Sequence, residues 1–164
     1  MSLPLSYIAA GCQQVAFVVE DITAAENFFC EKLGVTRFCR FNNFQVDDGM
    51  YRGKPAEFDY HLSIAFAADM QIELIQHLSG DNIYKEFLDT KGEGVHHLGF
   101  LLDDHQKVVK DFATNGFSIV QGGKVGGSDF AYFDTRKEIG VYLETIVLDE
   151  EGKEMFAKIK RDEF

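Results

Sequence analysis

The 164-residue sequence has no tryptophan, only two prolines and few basic residues. Its 16 lysines and arginines are outnumbered by 27 aspartates and glutamates, which gives a formal net charge of −11. A chain without a basic stripe cannot neutralise nucleic-acid phosphates, so we expect no nucleic-acid partner. No apolar run approaches the roughly 20 residues that span a bilayer, so no membrane partner is expected either.

Cysteine is also scarce, and its pattern is not that of a metal site. Cys12, Cys30 and Cys39 are odd in number and lack the CxxC spacing of zinc ligands. The sequence shows no signal-peptide pattern before them. We therefore expect reduced thiols and a cytoplasmic location.

What the sequence does contain is an internal repeat. Gln14–Asp21 reads QVAFVVED and His97–Asp104 reads HLGFLLDD, so the two segments match with an offset of 83 residues. Each match is followed by an aspartate-capped helical pattern that a glycine ends, at Gly34 or Gly116. Three strand patterns follow in each half, which predicts two βαβββ modules.

The repeat divides the chain into four parts. We expect a first module at residues 11–78, a connecting helix and loop at 79–92, a second module at 93–148 and a C-terminal helix at 149–164. Within these parts, residues 37–54 predict a short strand followed by a mobile loop. Residues 122–127 are rich in glycine and predict a flexible loop over the site.

Two adjacent histidines lie near the start of the second repeat. Neighbouring side chains of a strand point to opposite faces, so His96 and His97 are not expected to enter one site together. The repeat decides between them, because His97 is equivalent to Gln14. We expect His97 to face the site and His96 to pack against the helix layer.

Two glutamates extend this pattern. Glu73 and Glu144 lie at matching positions in the last strand of each module. If the two half-sheets pair around a common concavity, Gln14, Glu73, His97 and Glu144 converge from four strands. One nitrogen, one amide oxygen and two carboxylates suit an octahedral or near-octahedral divalent ion.

The paired βαβββ units and three motifs resemble the vicinal oxygen chelate superfamily, over roughly residues 12 to 147. The motifs read VVED, GVHHLGF and GVYLE. Members of this superfamily include glyoxalase I, methylmalonyl-CoA epimerase, extradiol dioxygenases and bleomycin resistance proteins. The resemblance implies an α+β fold in which two tandem βαβββ modules form a curved mixed sheet around a central metal-site cleft.

The resemblance also implies a ligand set and a reaction. Glyoxalase I-like members place ligands at the positions of Gln14, Glu73, His97 and Glu144, and their cofactor would be divalent zinc, nickel, cobalt or manganese. The implied activity is that of a lactoylglutathione lyase or methylmalonyl-CoA epimerase. Such an enzyme moves a proton alpha to a metal-polarised carbonyl through an enediolate or enolate, with Glu144 and Glu73 as catalytic carboxylates. Epimerases usually have histidine where Gln14 stands.

Epimerases of this family add a third carboxylate, for which Glu57 or Asp59 is the nearest candidate. The best candidates for binding an anionic group of the substrate are Arg40 and Lys124. We expect a small-molecule substrate and a homodimer, with the site either within one chain or shared between two.

Two other functions stay open. The first is a metal-free protein of the same fold that binds a small molecule or confers resistance. The second is a ring-cleaving dioxygenase, which needs two histidines and one carboxylate around iron. Gln14 in the first position argues against the second.

Overall fold

In the computed structural model, which describes residues 5–6 and 8–164, ten β-strands join one mixed sheet. The strands are β1 (Gln14–Val18), β2 (Cys39–Gln45), β3 (Asp47–Tyr51), β4 (Lys54–Pro55), β5 (Asp59–Ala67), β6 (Met70–Ser79), β7 (Gly94–Leu102), β8 (Ile119–Val125), β9 (Ser128–Phe133) and β10 (Tyr142–Leu148). The α-helices are α1 (Ile22–Leu33), α2 (Ile83–Lys91), α3 (His105–Thr114), α4 (Arg136–Ile139) and α5 (Glu150–Lys160), and a short 3-10 helix covers Ile8–Ala10. None of the described helices is both long enough and apolar enough to cross a membrane.

The repeated helices begin and end where the sequence predicts. The Asp21 carboxylate accepts a hydrogen bond from the Ala24 amide at the start of α1, and Asp104 does the same for Lys107 in α3, both at 3.0 Å. Gly34 ends α1 in the left-handed conformation, with φ of 76°. The connecting helix α2 is capped by Asn82, whose side chain accepts a hydrogen bond from the Lys85 amide at 2.8 Å.

The strand order confirms the predicted fold class. The order is β2-β5-β6-β1-β7-β10-β9-β8-β3-β4, with β1 and β7 antiparallel at the middle. Each central strand has a parallel partner from its own half, β6 beside β1 and β10 beside β7. The first and last strands of the two modules are therefore four consecutive strands of one curled sheet, in the order β6, β1, β7 and β10.

The expectation of a mobile loop in residues 37–54 is wrong, because this segment forms strands β2, β3 and β4. Strand β2 lies at one end of the sheet order, whereas β3 pairs with β8 near the other end. Only Val46 separates β2 from β3 along the chain. The sheet must therefore curl until its two ends are adjacent, which encloses the concave face.

The glycine-rich segment is likewise not a loop over the site. Residues 122–125 belong to β8, and Gly126 and Gly127 form the turn to β9. A Cβ atom on Gly123 would lie 2.2 Å from Val46 Cγ1 and 3.0 Å from the Asp47 carbonyl oxygen. The absent side chain thus makes room for the chain that crosses from β2 to β3.

Helix α5 packs across the concave face of the sheet. Ile159 is 3% exposed, and Met155 and Phe156 pack with it against the same core cluster as Tyr60 and Leu62 of β5. The apolar stripe of the C-terminal helix therefore packs on the body of its own chain.

We predict that Gly123→Ala lowers the free energy of unfolding by about 1–3 kcal/mol, because the new methyl group overlaps Val46. Urea unfolding measures this loss. The double variant Gly123→Ala with Val46→Ala should be less destabilised than the sum of the two single variants, because the clashing group is gone. Strict additivity of the two changes would contradict the close approach of Val46 to Gly123.

Candidate metal centre

The four residues expected to form the site lie on four adjacent strands and are buried. Gln14 is on β1, Glu73 on β6, His97 on β7 and Glu144 on β10, and each is at most 7% exposed. Glu73, His97 and Glu144 each offer one metal-ligand atom, and these three atoms all lie within 4.8 Å of one another. We call these four residues the cluster.

Three oxygen atoms of the cluster surround one nitrogen. His97 Nε2 lies 3.2 Å from Glu73 Oε2, 3.1 Å from Glu144 Oε2 and 3.1 Å from Gln14 Oε1. The oxygens come from three different strands, so strand pairing fixes their separation.

Two of these oxygens have no hydrogen-bond donor besides His97 among the described residues. Glu73 Oε2 and Glu144 Oε2 are buried, and the single proton of His97 Nε2 cannot satisfy both of them together with Gln14 Oε1. Buried carboxylate oxygens without donors are costly unless a cation compensates them. A hard divalent ion prefers carboxylate, amide-oxygen and imidazole ligands of this kind, so the residues present fit such an ion.

Gln71, which was not among the predicted site residues, orients the Gln14 amide. Gln14 Nε2 donates to Gln71 Oε1 and, at 3.3 Å, to Glu73 Oε1. The amide oxygen of Gln14 is thereby left to face His97. The position of Gln71 could have been predicted from the sequence, because it lies two residues before Glu73 on one strand and so shares its face.

Small residues opposite the first-strand ligands leave room for them. Gly99 pairs with Gln14 across β1 and β7, and a Cβ on Gly99 would lie 2.3 Å from Gln14 Oε1. The equivalent position in the other half is Ala16, which pairs with His97 and is fully buried. The antiparallel pairing of β1 and β7 thus places a small residue beside each ligand.

The two histidines touch each other, contrary to the strict alternation expected of a strand. The register between β1 and β7 shifts at this point, since Ala16 pairs with His97 and Phe17 pairs with Val95. This bulge leaves His96 without a partner residue and brings its Nδ1 to 2.9 Å from His97 Nδ1. A hydrogen bond at Nδ1 leaves His97 Nε2 directed at the cluster.

His96 also packs against helix α2, as expected. Its ring lies 5.3 Å from the Tyr84 ring and 5.1 Å from the Phe87 ring, centroid to centroid. Burial lowers the pKa of His96 well below its usual value, with a further contribution from His97. A neutral His96 can accept, at its Nδ1, a hydrogen bond from the protonated Nδ1 of His97.

The cluster shifts the pKa values of its own members. Burial alone would lower the pKa of His97, but the carboxylates of Glu144 and Glu73 outweigh burial and raise it to about 9. Burial raises the pKa of Glu73, and the negative charge of Glu144 adds to this against the opposing effect of His97. Without a bound ion, the charged imidazolium therefore compensates part of the buried negative charge.

Aromatic side chains wall the chamber beside the cluster. The chamber has a volume of about 40 Å³, which is room for an ion or a few water molecules. Tyr84 and Tyr132 share a hydrogen bond of 2.9 Å between their hydroxyl groups, and the Tyr132 ring lies 4.9 Å from the His97 ring. The cluster therefore lies in a largely apolar enclosure.

The structure does not bring the other candidate residues to the cluster. Arg40 is held by Glu26 and Thr23 of α1, and the Lys124 side chain is 60% exposed and 3.8 Å from Asp48. Their role in binding a substrate anion stays a prediction that this placement does not favour.

Neither candidate for a third carboxylate lines the chamber. Glu57 is exposed just before β5, and Asp59 accepts a hydrogen bond from Ser79 Oγ at the start of that strand. The inward positions of β5 carry Tyr60, Leu62 and Ile64 instead.

Comparisons with known proteins agree with this architecture. Residues 13–133 match the family described as Glyoxalase/Bleomycin resistance protein/Dioxygenase superfamily. In Bacillus subtilis (strain 168), the uncharacterized protein YqjC is 28% identical over 96 residues, which cover 51% of this chain and 63% of that protein.

Solved structures show the same fold at low identity. The methylmalonyl-CoA epimerase from Mycobacterium tuberculosis aligns with a TM-score of 0.64 and 20% identity, over 94% of this chain and 96% of that one. The hypothetical protein BH1468 from Bacillus halodurans C-125 aligns with a TM-score of 0.63 and 18% identity, over 85% and 95% of the two chains.

We predict that the chelator-treated protein loses stability as the pH rises from about 6.5 to 9.5. The folded pKa of His97, about 9, lies above the ordinary value near 6.5. The stability from the protonated ring is therefore complete below about pH 6.5 and is lost as the pH passes about 9. Unfolding monitored at several pH values should show about 3 kcal/mol of loss from this group.

The control is His105→Gln, since His105 lies on α3 outside the cluster. His105→Gln should keep this pH dependence, whereas His97→Gln should remove it. An unchanged slope in His97→Gln would contradict the assignment.

Proposed function

Because the chain belongs to the glyoxalase/bleomycin resistance protein/dioxygenase superfamily, we propose that it is a divalent-metal-dependent enzyme of the glyoxalase or epimerase type. The proposed reaction moves a proton at the carbon next to a carbonyl group of a small-molecule substrate. Lactoylglutathione lyase and methylmalonyl-CoA epimerase are the models for this reaction. We further propose a homodimeric, cytoplasmic enzyme.

The observation that carries the proposal is the convergence of the cluster. Gln14, Glu73, His97 and Glu144 come from the two halves of the repeat, yet three of their oxygens lie within 3.2 Å of one nitrogen. Two of those oxygens are buried, and His97 Nε2, which they share, is the one donor near them among the described residues. A purely structural ion pair would more commonly satisfy each carboxylate oxygen with a donor.

The four side chains of the cluster would hold the ion. When bound, a zinc, nickel, cobalt or manganese ion polarises a substrate carbonyl and stabilises the negative charge that develops on its oxygen. His97 contributes Nε2, Gln14 contributes Oε1, and the two glutamates contribute carboxylate oxygens.

The glutamates also supply the proton transfer. In the proposed reaction the substrate C–H bond breaks, its proton goes to a carboxylate oxygen of Glu144, and its electron pair is delocalised onto the carbonyl oxygen. Return of a proton to the opposite face of the same carbon gives an epimer, and its delivery to the neighbouring carbon gives an isomer. Glu73, on β6 at the other flank of the β1–β7 pair, is the proposed proton donor on the second side.

The walls of the chamber support this chemistry. Tyr60 and Tyr132 are fully or almost fully buried beside the cluster, and Phe130 and Phe156 line the same space. These rings exclude bulk water, so charges within the chamber interact more strongly than they would in solution.

A second candidate is a metal-free protein that binds a small molecule. The observation in its favour is that His97, with a pKa of about 9, lies between two carboxylates and can neutralise part of their charge by itself. Stable ligand binding in the presence of chelator, together with no metal uptake, would favour this alternative.

A ring-cleaving dioxygenase fits the cluster poorly. Its iron requires two histidines and one carboxylate, whereas the cluster offers one histidine, two carboxylates and an amide. His96 does not supply the second histidine, because its Nδ1 faces His97 and its ring packs among aromatic side chains.

We predict that protein purified without chelators contains about one divalent ion per chain. Glu144→Gln and His97→Gln should each lose most of it, because each removes one ligand of a small set. Elemental analysis of the purified variants measures the metal content. Glu138→Gln is the matched control, since Glu138 is exposed on α4, and it should retain the ion. Wild-type protein that neither contains nor takes up a divalent ion would contradict the proposal.

We further predict exchange of the substrate α-proton with deuterium in D2O, followed by NMR. The screen starts with hemithioacetals and 2-methyl-branched acyl-CoA thioesters. Glu144→Gln should slow the exchange by roughly 100-fold or more, because it removes the proposed base, and Glu138→Gln should not. Equal rates in wild type and Glu144→Gln would contradict the role of Glu144.

A further inference from the structure

Helix α5 divides the concave face of the sheet into two spaces. The inner space is the 40 Å³ chamber beside the cluster. On the other side of α5 lies an outer groove of about 430 Å³. Gln14 and Phe156 line both spaces, so the outer groove reaches one of the cluster residues directly.

The two spaces differ in what they can hold. In this conformation the inner chamber has room for an ion or a few water molecules. The outer groove has a volume within the range of small-molecule sites, about 300–1,000 Å³. The outer groove is thus a space of that size that reaches a cluster residue directly, through Gln14.

The walls of the outer groove are mostly apolar, with amides next to the cluster. The apolar residues come from three strands and from α5. They are Phe66, Leu101, Ile146, Leu148, Phe156 and Ala157. The side chains of Gln14 and Gln71 lie at the end nearest the cluster. This lining suits an apolar ligand body with a polar group directed at Gln14.

Two lysines of α5 line the same groove in a chain whose net charge is −11. Lys153 and Lys160 are seven residues apart, which puts them on one side of the helix, about 10 Å apart along its axis. Asp69 is the carboxylate among the lining residues. The lining residues thus carry one more positive than negative charge, and Asp103 and Asp149 also interact with Lys153.

Both lysines are available to a ligand. Lys160 Nζ lies 2.6 Å from Asp69 Oδ1, and Lys153 Nζ lies 2.8 Å from Glu150 Oε1. The two carboxylate side chains are 95% and 90% exposed, so these pairs are solvated and contribute little to stability. A bound anion can replace such partners at low cost.

We propose that the outer groove binds amphipathic organic anions. Lys153 and Lys160 hold the carboxylate, sulfonate or phosphate group, and the apolar body extends along the groove towards Gln14. The identification of this ligand as the substrate rests on the proposed function. If the ligand is the substrate, the C-terminal helix α5, and not Arg40 or Lys124, selects its anionic group.

The test uses the full chain after chelator treatment and two fluorescent probes of similar shape. The anionic probe is 8-anilinonaphthalene-1-sulfonate, and the neutral one is N-phenyl-1-naphthylamine. In Lys153→Gln with Lys160→Gln, we expect the Kd of the anionic probe to rise at least tenfold. The Kd of the neutral probe should stay within about twofold, because the apolar walls are unchanged.

Two further variants complete the design. Lys137→Gln with Lys158→Gln removes the same charge from exposed lysines outside the groove and should leave both probes unaffected. Ala157→Phe fills the groove and should abolish the binding of both probes, while circular dichroism reports whether the fold is retained.

Several results would overturn the proposal. These are an unchanged anionic-probe Kd in the Lys153 and Lys160 double variant, an equal loss in the Lys137 and Lys158 control, or undiminished binding to folded Ala157→Phe. Failure of the wild type to bind the anionic probe would also overturn it. Because the probe assay is run without metal, its failure is separate from failure of the proposed function, which is judged by metal content and proton exchange.

Discussion

The structure depends on the burial of two carboxylates that face one imidazole nitrogen. Glu73 and Glu144 each have an oxygen within 3.2 Å of His97 Nε2, and no other donor of the described residues reaches either oxygen. Placing two negative charges in an apolar interior is costly, so a positive charge has to be present, either an imidazolium or a bound cation. The side chains behind the cluster serve the same constraint, because Gln71 orients Gln14 and His96 engages the far nitrogen of His97.

The near-symmetry of the two halves explains how the cluster is built. The differences between the two halves explain the chemistry of the cluster. Antiparallel pairing of β1 with β7 brings Gln14 and His97 to the centre of the sheet, with the glutamates on the parallel strands beside them. The two halves differ at the first-strand position, where one carries an amide and the other an imidazole. A bulge beside His97 adds a second imidazole behind the first. The result is a single asymmetric centre.

Enclosure of the concave face comes from two segments outside the repeat pattern. The crossing from β2 to β3 brings the ends of the sheet together, and α5 packs across the opening. Together they reduce the space beside the cluster to a small chamber and leave a larger groove outside α5. The same helix that shields the cluster therefore also shapes the route by which a ligand can approach Gln14.

The sequence by itself determined the repeated modules, the helix caps at Asp21 and Asp104, and the equivalence of Gln14 and His97. These features follow from strand alternation and helix capping, which are local rules. The sequence also identified Glu73 and Glu144, since their matching positions in the last strand of each module can be seen in the sequence. Only the tertiary structure decided that residues 37–54 cross to the other end of the sheet and that a bulge brings His96 against His97. It likewise decided that α5 divides the concave face. These features depend on contacts between residues distant in sequence, where packing and register, and not local propensity, fix the outcome.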